Sequence, residues 1–344
     1  MTHDFTKRGS NAVSQPMTVA DGVNTFGILN QRPSTPMSYQ IGVYEEQGCR
    51  PTMEDTHAFI VDLDGVRGQG YFGVFDGHGN KEVAEWCGSH FQDHFLSAIH
   101  KDRNRGAEEI LSDAFKSADD ALQELSEKSD KVAESGSTAV VAFLRMEDAN
   151  GKQAVFAPSP QDKPPVSPPA SARPVLYCAN AGDARAVISR KGRAQRLTQD
   201  HKATDKDEQS RIRNAGGIVF RGRVFGTLAI SRSLGDHLSY EGLHLKELVI
   251  GTPFVSRTPL EDSDEFCIIA CDGLWDEVSD QEAVDAIKDI KSAQEASELL
   301  VALALEKGST DNCTVMVVRF KDFLSPAQLA IQAAQDYLAL STIA

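Results

Sequence analysis

The chain has 344 residues, 41% of them hydrophobic, and is long enough to bury a sizeable core in one large domain or two medium ones. Fifty acidic and 35 basic residues give a net charge of −15, which argues against nucleic acid and anionic membranes as partners because both repel an acidic surface. The six cysteines form no CxxC pair, no apolar run approaches the ~18 residues of a membrane span, and the N-terminus has no signal-peptide core. We therefore expect an intracellular protein, cytoplasmic or nuclear.

The first part of the chain predicts a polar tail, then strands, then two helices. Residues 1–37 are polar and contain three prolines, and we interpret them as a disordered N-terminal tail. Strand patterns follow at 39–46, 56–63 and 70–76. From Asn80, a candidate N-cap, apolar residues recur at helical spacing, and the same spacing predicts a second helix over 110–125.

Strand patterns at 138–144 and 175–179 enclose a proline-rich segment at 147–173. Half of the chain's 14 prolines fall at 158–174, which is incompatible with regular structure. We interpret the segment as an extended surface insertion, and deletion of residues 152–172 should leave the fold and the activity close to intact. A proline-rich partner motif is the alternative, but no PxxP with a flanking basic residue stands out.

The rest of the chain continues the mixture of strands and helices. Strands are predicted at 185–189, 265–271 and 313–320, and helices at 205–215, 280–290, 293–306 and 326–340. Strand runs at the start, middle and end, with helix pairs between them, predict an α+β layered domain over 38–322. Ser325-Pro326 has the form of an N-cap followed by proline, which predicts a C-terminal helix within 323–344.

The stretch "YFGVFDGHGN" at 71–80 is an apolar strand that ends abruptly in Asp76-Gly77-His78-Gly79. Asp-Gly is ordinary turn chemistry, and taken alone the tetrapeptide needs no other explanation. The same arrangement recurs elsewhere, however, because acidic residues stand at the ends of several predicted strands. These residues are Glu54, Asp76, Asp183, Asp272, Asp276 and Asp311.

Carboxylates that converge at one edge of the sheets would repel one another unless a cation neutralised them. Ligands that are all oxygen atoms suit Mg²⁺, Mn²⁺ or Ca²⁺, and the chain has neither an EF-hand loop nor a phosphate-binding G-x-x-x-x-G-K motif. A paired Mg²⁺ or Mn²⁺ site indicates metal-assisted hydrolysis of a phosphate ester, and Arg50 could then bind the phosphate through two parallel hydrogen bonds. Taken alone, each acidic residue would be interpreted as a turn former or a helix cap. Taken alone, Arg50 would be interpreted as one member of a surface ion pair.

Several motifs occur in one order along the chain: "RPTMEDTH", "YFGVFDGHGN", "SGSTAVV", "NAGDARAV", "TQDHKA", "LAISRSLGD", "ACDGLWDEV" and "STDNCTVMVV". Together they resemble the metal-dependent type 2C protein serine/threonine phosphatases, the PPM family, from about residue 39 to 320. The first and last motifs are most similar to fungal members that act on stress-responsive MAP kinase pathways. The resemblance implies an α+β fold with a central β-sandwich of two antiparallel sheets flanked by helices, and a flap at about 205–235.

The resemblance also implies roles for individual residues. Asp76 would bridge two core metal ions, with Asp272 and Asp311 completing the protein ligands of one ion. Glu54 and the Gly77 carbonyl would serve the other ion, and Asp183, Asp272 and Asp276 would form a weaker third site. Arg50 would bind the substrate phosphate, and His78 would act as the general acid.

The function implied is hydrolysis of phosphoserine and phosphothreonine by a water that bridges Mg²⁺ or Mn²⁺ ions, without a phosphoenzyme intermediate. The partners expected are phosphorylated proteins, plausibly MAP kinases, with the chain acting as a monomer and a negative regulator. A pseudophosphatase that binds kinases without chemistry would have lost one of Asp76, Asp272 or Asp311, and all three are present. A metal phosphohydrolase acting on small molecules or nucleic acid remains the second alternative.

Overall fold

The computed structural model describes residues 26–28, 39–157, 166–240 and 243–320. The helix predicted at 326–340 and most of the predicted N-terminal tail lie outside these ranges. None of the helices in the described ranges combines the length and the apolar character needed to cross a membrane.

The strands and helices of the described ranges alternate along the chain. In chain order the strands are β1 (Phe26–Ile28), β2 (Gln40–Glu46), β3 (Thr56–Val61), β4 (Gly70–His78), β5 (Gly136–Glu147), β6 (Arg173–Ala181), β7 (Arg185–Arg190), β8 (Arg193–Arg196), β9 (Val219–Phe220), β10 (Arg223–Val224), β11 (Leu234–Gly235), β12 (Ser239–Tyr240), β13 (Leu243–His244), β14 (Phe254–Pro259), β15 (Asp264–Ala270) and β16 (Cys313–Arg319). The helices are α1 (Glu82–Lys101), α2 (Ala107–Ser126), α3 (Asp130–Ala133), α4 (Lys206–Asn214), α5 (Asp272–Trp275), α6 (Asp280–Ile287) and α7 (Ala293–Glu306).

Two sheets form the centre of the molecule. The larger has the strand order β1-β3-β4-β5-β6-β14, with β11 added beside β5, and the smaller has the order β2-β16-β15-β7-β8. Neighbouring strands are antiparallel except β1 and β3, which are parallel. The predicted α+β sandwich of antiparallel sheets flanked by helices is thus confirmed.

The alternation of side chains along β4 explains the layers. Phe72 and Val74 point into the core between the two sheets, where they meet Met316 of β16. Tyr71 and Phe75 point to the other face and pack in the core that includes residues of α1 and α2. A third core lies between the smaller sheet and helices α6 and α7. Because β4 is covered on both faces, its sequence is continuously apolar rather than alternating.

The structure differs from the sequence prediction at several places. Phe26–Ile28 forms a strand within the segment 1–37, which the sequence predicts to be a mostly disordered tail and in which it indicates no strand. Helix α1 begins at Glu82 with Lys81 at the N-cap position, although Asn80 Oδ1 still accepts a hydrogen bond from the Glu82 amide at 3.1 Å. Strand β14 was not predicted, because its half-buried sequence "FVSRTP" at the edge of the sheet has no continuous apolar run.

The described ends of the proline-rich insertion pack onto the domain, which corrects the prediction that 147–173 is purely a surface segment. Ala157 is 3% exposed, and the Val166 amide donates to the Gly65 carbonyl at 2.9 Å. The Gln153 amide lies between two buried polar side chains. Its Oε1 accepts from Arg145 Nε at 2.9 Å, and its Nε2 donates to Gln69 Oε1 at 2.6 Å.

Replacing Gln153 by alanine should therefore lower the free energy of unfolding by about 1–3 kcal/mol, because it leaves the Nε of buried Arg145 without its acceptor and removes one of the donors to Gln69 Oε1. Chemical denaturation should show this loss, and Lys152→Ala is the matched control because Lys152 is an exposed neighbour. Equal stability of the two variants would show that Gln153 contributes nothing to the domain and would restore the interpretation of a surface spacer.

Candidate active site

The predicted acidic residues lie where strands meet turns at one region of the sandwich. Asp76 is near the end of β4, and Asp183 lies in the turn between β6 and β7. Asp272 is the first residue of α5, two positions after the last residue of β15, and Asp311 precedes β16 by two residues. Glu54 lies in the loop before β3, two positions from its first residue.

Close backbone approaches bring these turns together. The Gly77 amide donates to the Glu54 carbonyl at 3.2 Å, and a Cβ atom at position 77 would lie 2.5 Å from that oxygen. A Cβ atom at Gly273 would lie 2.0 Å from the Asn312 carbonyl oxygen. Both positions therefore require glycine, which explains why Asp-Gly follows β15 and occurs in β4.

Asn312 connects the loop before β3 to the turn before β16. Its Oδ1 accepts from the Glu54 amide at 2.9 Å, and its Nδ2 donates to the carbonyl oxygens of Gln47 at 2.8 Å and Thr52 at 3.1 Å. This buried amide side chain consequently fixes the position of Glu54 relative to Asp311.

The pKa values of the acidic residues show that their carboxylates lie close together. Burial, together with the charge of Asp272 and of other nearby acids, raises the pKa of Asp76 well above its usual range. Burial and the neighbouring Asp183 and Asp276 raise the pKa of Asp272 to about 8. Burial above all raises the pKa of Asp183 as well. In the absence of cations, therefore, the protein holds several carboxylates that are costly to ionise.

Asp55 belongs to the same cluster although the sequence analysis assigned it no role. It is 5% exposed, and burial raises its pKa to about 6. Thr314 and Cys271 approach its side chain, yet neither carboxylate oxygen has a hydrogen-bond partner of normal geometry among the described residues. Asp55, Asp76 and Cys271 each offer a ligand atom, and these atoms lie within 4.8 Å of one another.

These observations fit divalent cations with a preference for oxygen ligands. A buried carboxylate with no partner and neighbours of raised pKa is the arrangement that a bound cation would neutralise. Burial keeps the Cys271 thiol protonated by raising its pKa, and its Sγ accepts a hydrogen bond from the Thr314 amide at 3.1 Å. The carboxylates, rather than this thiol, are the suitable ligands for a hard ion.

Two basic residues lie at the rim of the cluster. Arg50 Nη2 contacts Asp311 Oδ2 at 2.5 Å, and their side chains are 52% and 34% exposed. Lys202 Nζ lies 2.8 Å from Asp276 Oδ1 and 3.6 Å from Asp183 Oδ2. The ion pair considered as the alternative role of Arg50 therefore exists, and its partner is itself a predicted metal ligand.

The location of Asp183 leads to a prediction about the predicted peripheral site. The resemblance assigns Asp183 to the weaker third ion, and Lys202 already offsets part of its charge. Asp183→Asn should therefore leave tight binding of two Mn²⁺ ions in place, while turnover falls by about 10-fold or more. Titration calorimetry would count the ions bound, and kinetics with a phosphothreonine peptide would give turnover. Loss of both tightly bound ions would instead move Asp183 into the core site.

His78 also reaches the cluster. Its side chain is 25% exposed, and its Nε2 lies 2.8 and 3.0 Å from the two carboxylate oxygens of Asp236. Burial is the largest single influence on the pKa of His78 and lowers it, but the charge and the hydrogen bond of Asp236, with smaller contributions from Asp183 and Glu54, together outweigh burial, so the pKa is raised above its usual value. All the predicted site residues are thus brought into one region, and their individual roles stay predictions.

Sequence reasoning missed Asp55, Asp236, Lys202 and Asn312. Each stands inside a motif quoted above, directly beside or a few residues from another motif residue. Asp55 follows Glu54, and Asp236 closes the "SRSLGD" motif. The motif order was the signal for their importance, but the sequence did not reveal which side chain each would contact.

Comparison with known proteins places the chain in one family. Residues 39–313 match the family model "Protein phosphatase 2C". The chain is 40% identical to protein phosphatase 2C homolog 1 of Saccharomyces cerevisiae over 84% of this chain and 96% of the relative. It is 37% identical to protein phosphatase 2C homolog 1 of Schizosaccharomyces pombe over 86% of this chain and 77% of the relative.

Solved structures agree in fold. A serine-threonine phosphatase 2C from Toxoplasma gondii superimposes with a TM-score of 0.62 at 21% identity, over 82% of this chain and 95% of that one. A sex-determining protein of C. elegans gives a TM-score of 0.65 at 24% identity, over 82% of this chain and 65% of that one. The chain belongs to the protein phosphatase 2C family, the PPM family of metal-dependent phosphatases, and is a protein serine/threonine phosphatase that acts on phosphorylated proteins.

Proposed function

We propose that this phosphatase requires Mg²⁺ or Mn²⁺ and that phosphorylated MAP kinases of a stress pathway are among its substrates. The observation that carries the metal requirement is the buried cluster of Asp55, Asp76 and Asp272, whose pKa values are all raised. The proposal about MAP kinases rests on the similarity of the "RPTMEDTH" and "STDNCTVMVV" motifs to those of fungal family members. The similarity to two yeast relatives supports it.

The residues that would hold the ions follow the family motifs. Asp76 would serve both core ions, Asp272 and Asp311 would hold one of them, and Glu54 with the Gly77 carbonyl would hold the other. Asp183, Asp272 and Asp276 would hold a weaker third ion. When bound, such ions lower the pKa of a coordinated water and offset the charge of the phosphate.

The chain's own residues then orient the substrate and handle the proton. Arg50 is half exposed at the rim, and its planar guanidinium can donate two parallel hydrogen bonds to a phosphate dianion. The P–O bond to the serine or threonine breaks with its electron pair on the departing oxygen, which needs a proton. His78 is the residue that we assign as the donor, because it adjoins Asp76 and Gly77 in the chain.

We further propose that the protein acts as a monomer in the cytoplasm or nucleus. Among the described residues, the large exposed hydrophobic side chains are few and divided between two regions. Ile218, Phe220 and Leu238 are in or next to the flap, and Leu299 and Leu305 are on α7. A scattered distribution of this kind is typical of a monomer surface.

The experiment that tests the proposal measures phosphate release from a phosphothreonine peptide with Mn²⁺, with Mg²⁺ and after exhaustive chelation by EDTA. We expect turnover only with added ions, and its return when Mn²⁺ exceeds the chelator. A doubly phosphorylated activation-loop peptide of a MAP kinase and a phosphotyrosine peptide serve as the favoured and disfavoured substrates. Full turnover after chelation would refute the metal requirement, and equal rates on every phosphothreonine peptide would refute the preference for MAP kinases.

A further inference from the structure

Asp236 is a buried carboxylate with no role in the proposed metal site. It follows β11, is 6% exposed, and directs both of its oxygens at one ring nitrogen, Nε2 of His78, at 2.8 and 3.0 Å. Among the described residues, the hydrogen bonds of His78 all run through Nε2. The other ring nitrogen, Nδ1, is thus left for a different partner.

The position of Asp236 is fixed from several sides. Ser233 Oγ donates to Asp236 Oδ2 at 2.5 Å, and the Asp236 amide donates to the Ser135 carbonyl at 2.9 Å. The backbone of Asp236 has φ = 57°, a left-handed conformation that a non-glycine residue adopts only where its surroundings hold it. These contacts hold the carboxylate in one orientation.

A second set of contacts anchors the segment that carries Asp236. Asp119 of α2 accepts from the Gly235 amide at 3.1 Å and binds Lys246 Nζ at 2.8 Å. The same Lys246 donates to the carbonyl oxygens of Ser233 at 2.8 Å and Gly235 at 3.0 Å. Residues on both sides of Asp236 are therefore tied to the body of the domain.

Gly136 of β5 lies against His78 and Asp236, where a side chain would not fit. A Cβ atom at that position would lie 2.3 Å from His78 Nε2 and 2.3 Å from Asp236 Oδ2. Such a contact is far too short, so any larger residue would separate the imidazole from the carboxylate. The glycine of the "SGSTAVV" motif is thus explained by the contact between His78 and Asp236 rather than by a turn.

We propose that Asp236 is a positioning residue: its carboxylate accepts a hydrogen bond from the Nε2–H of His78 and so orients the ring, which makes Nδ1 the nitrogen that gives a proton to the departing serine or threonine oxygen. This inference rests on the proposed role of His78. A water oxygen forms a bond to phosphorus as the P–O bond to serine or threonine breaks, and the electron pair of the broken bond stays on the leaving oxygen. That oxygen takes the Nδ1 proton of doubly protonated His78, which becomes neutral and keeps its Nε2–H hydrogen bond to Asp236. Water returns the Nδ1 proton after the product leaves.

The kinetic test compares Asp236→Ala and Asp236→Asn on two substrates in the presence of Mn²⁺. Asp236→Ala should lower kcat for a phosphothreonine peptide by about 10- to 100-fold, part of what a general acid contributes, and leave KM nearly unchanged. Turnover of p-nitrophenyl phosphate, whose leaving group needs no proton, should change by less than about 3-fold. Asp236→Asn should recover part of the loss, because its amide oxygen still accepts from Nε2.

The matched control is Asp64→Ala. Asp64 is also buried and bonds a histidine, His100, at 2.7 Å from its Nε2, but at the far end of α1. This variant should lower stability without changing the ratio of the two turnover rates. If Asp236→Ala lowers both rates equally, as general damage would, the positioning role is refuted.

A measurement without turnover uses ¹⁵N NMR of the histidine rings in the metal-free protein. At a pH high enough for the His78 ring to be neutral, the wild-type ring should be the tautomer protonated at Nε2, and Asp236→Ala should give a mixture of tautomers. A wild-type ring protonated only at Nδ1 would overturn the inference even if the enzyme is active. An inactive wild-type enzyme with the Nε2 tautomer would instead refute the proposed function and leave the contact between Asp236 and His78 established.

Discussion

Replacement of Asp76 by asparagine should reduce turnover of a phosphothreonine peptide by at least about 100-fold at saturating Mn²⁺. Like Asp272, Asp76 is a carboxylate whose pKa is raised by burial together with the charges of four other acids. The family motifs assign Asp76 to both core ions, so its charge is the one that a pair of cations would share. An amide in its place offers one neutral oxygen and cannot attract two ions equally.

The fold itself should not suffer from this replacement. In the metal-free protein, asparagine removes a buried charge that its neighbours repel, so the melting temperature should equal or exceed that of the wild type. The stabilisation by Mn²⁺, which is about 2.7 kcal/mol at 100 times its dissociation constant, should be largely lost. Asp120→Asn, at an exposed carboxylate on α2, is the control. If Asp76→Asn keeps more than about a tenth of wild-type turnover, Asp76 does not bridge the ions.

The sequence predicts the sandwich well where strands are buried on both faces. The run from Tyr71 to Phe75 reads as a strand because each residue meets a core, one set facing the second sheet and the other facing α1 and α2. Strand β14 was missed for the opposite reason. It lies at an edge, only Thr258 among its six residues is buried, and its pairing with β6 depends on residues about 80 positions away.

The location of the site was also predictable, but its internal contacts were not. Asp76 and Asp272 are recognisable in the sequence because each is a carboxylate at the end of an apolar strand. The repeated Asp-Gly indicates a close backbone contact at both positions. The contact between His78 and Asp236 joins residues 158 positions apart. No local pattern encodes a contact of that kind, because it depends on how β11 returns to pair with β5.

The same limit applies to Arg145 and Gln153. A proline-rich segment has the composition of an exposed loop, and composition does not reveal that one amide oxygen accepts a hydrogen bond from the Nε of a buried arginine. Composition describes the average residue of such a segment, whereas stability depends on a few specific contacts. Residues of this kind are found only when the partners of each buried polar group are examined in three dimensions.

The effect of His78→Gln should depend on the substrate. A serine or threonine alkoxide is a poor leaving group, and a positioned general acid typically contributes about 10²–10⁴-fold to its departure. Nitrophenolate leaves readily without a proton. Turnover of a phosphothreonine peptide should therefore fall by about 100-fold or more, while turnover of p-nitrophenyl phosphate should fall by less than about 10-fold.

His100→Gln provides the matched control for this prediction. His100 also contacts a buried aspartate through Nε2, but it lies near the end of α1, roughly 27 Å along the helix axis from the first turn. Its replacement should leave the ratio of the two rates unchanged. If His78→Gln lowers both rates by the same factor, then His78 only shapes the turn after Asp76 or tunes the bound ions. The glycines on either side of it would then be ordinary turn residues, and the proton for the leaving oxygen would have to come from another group at the cleft.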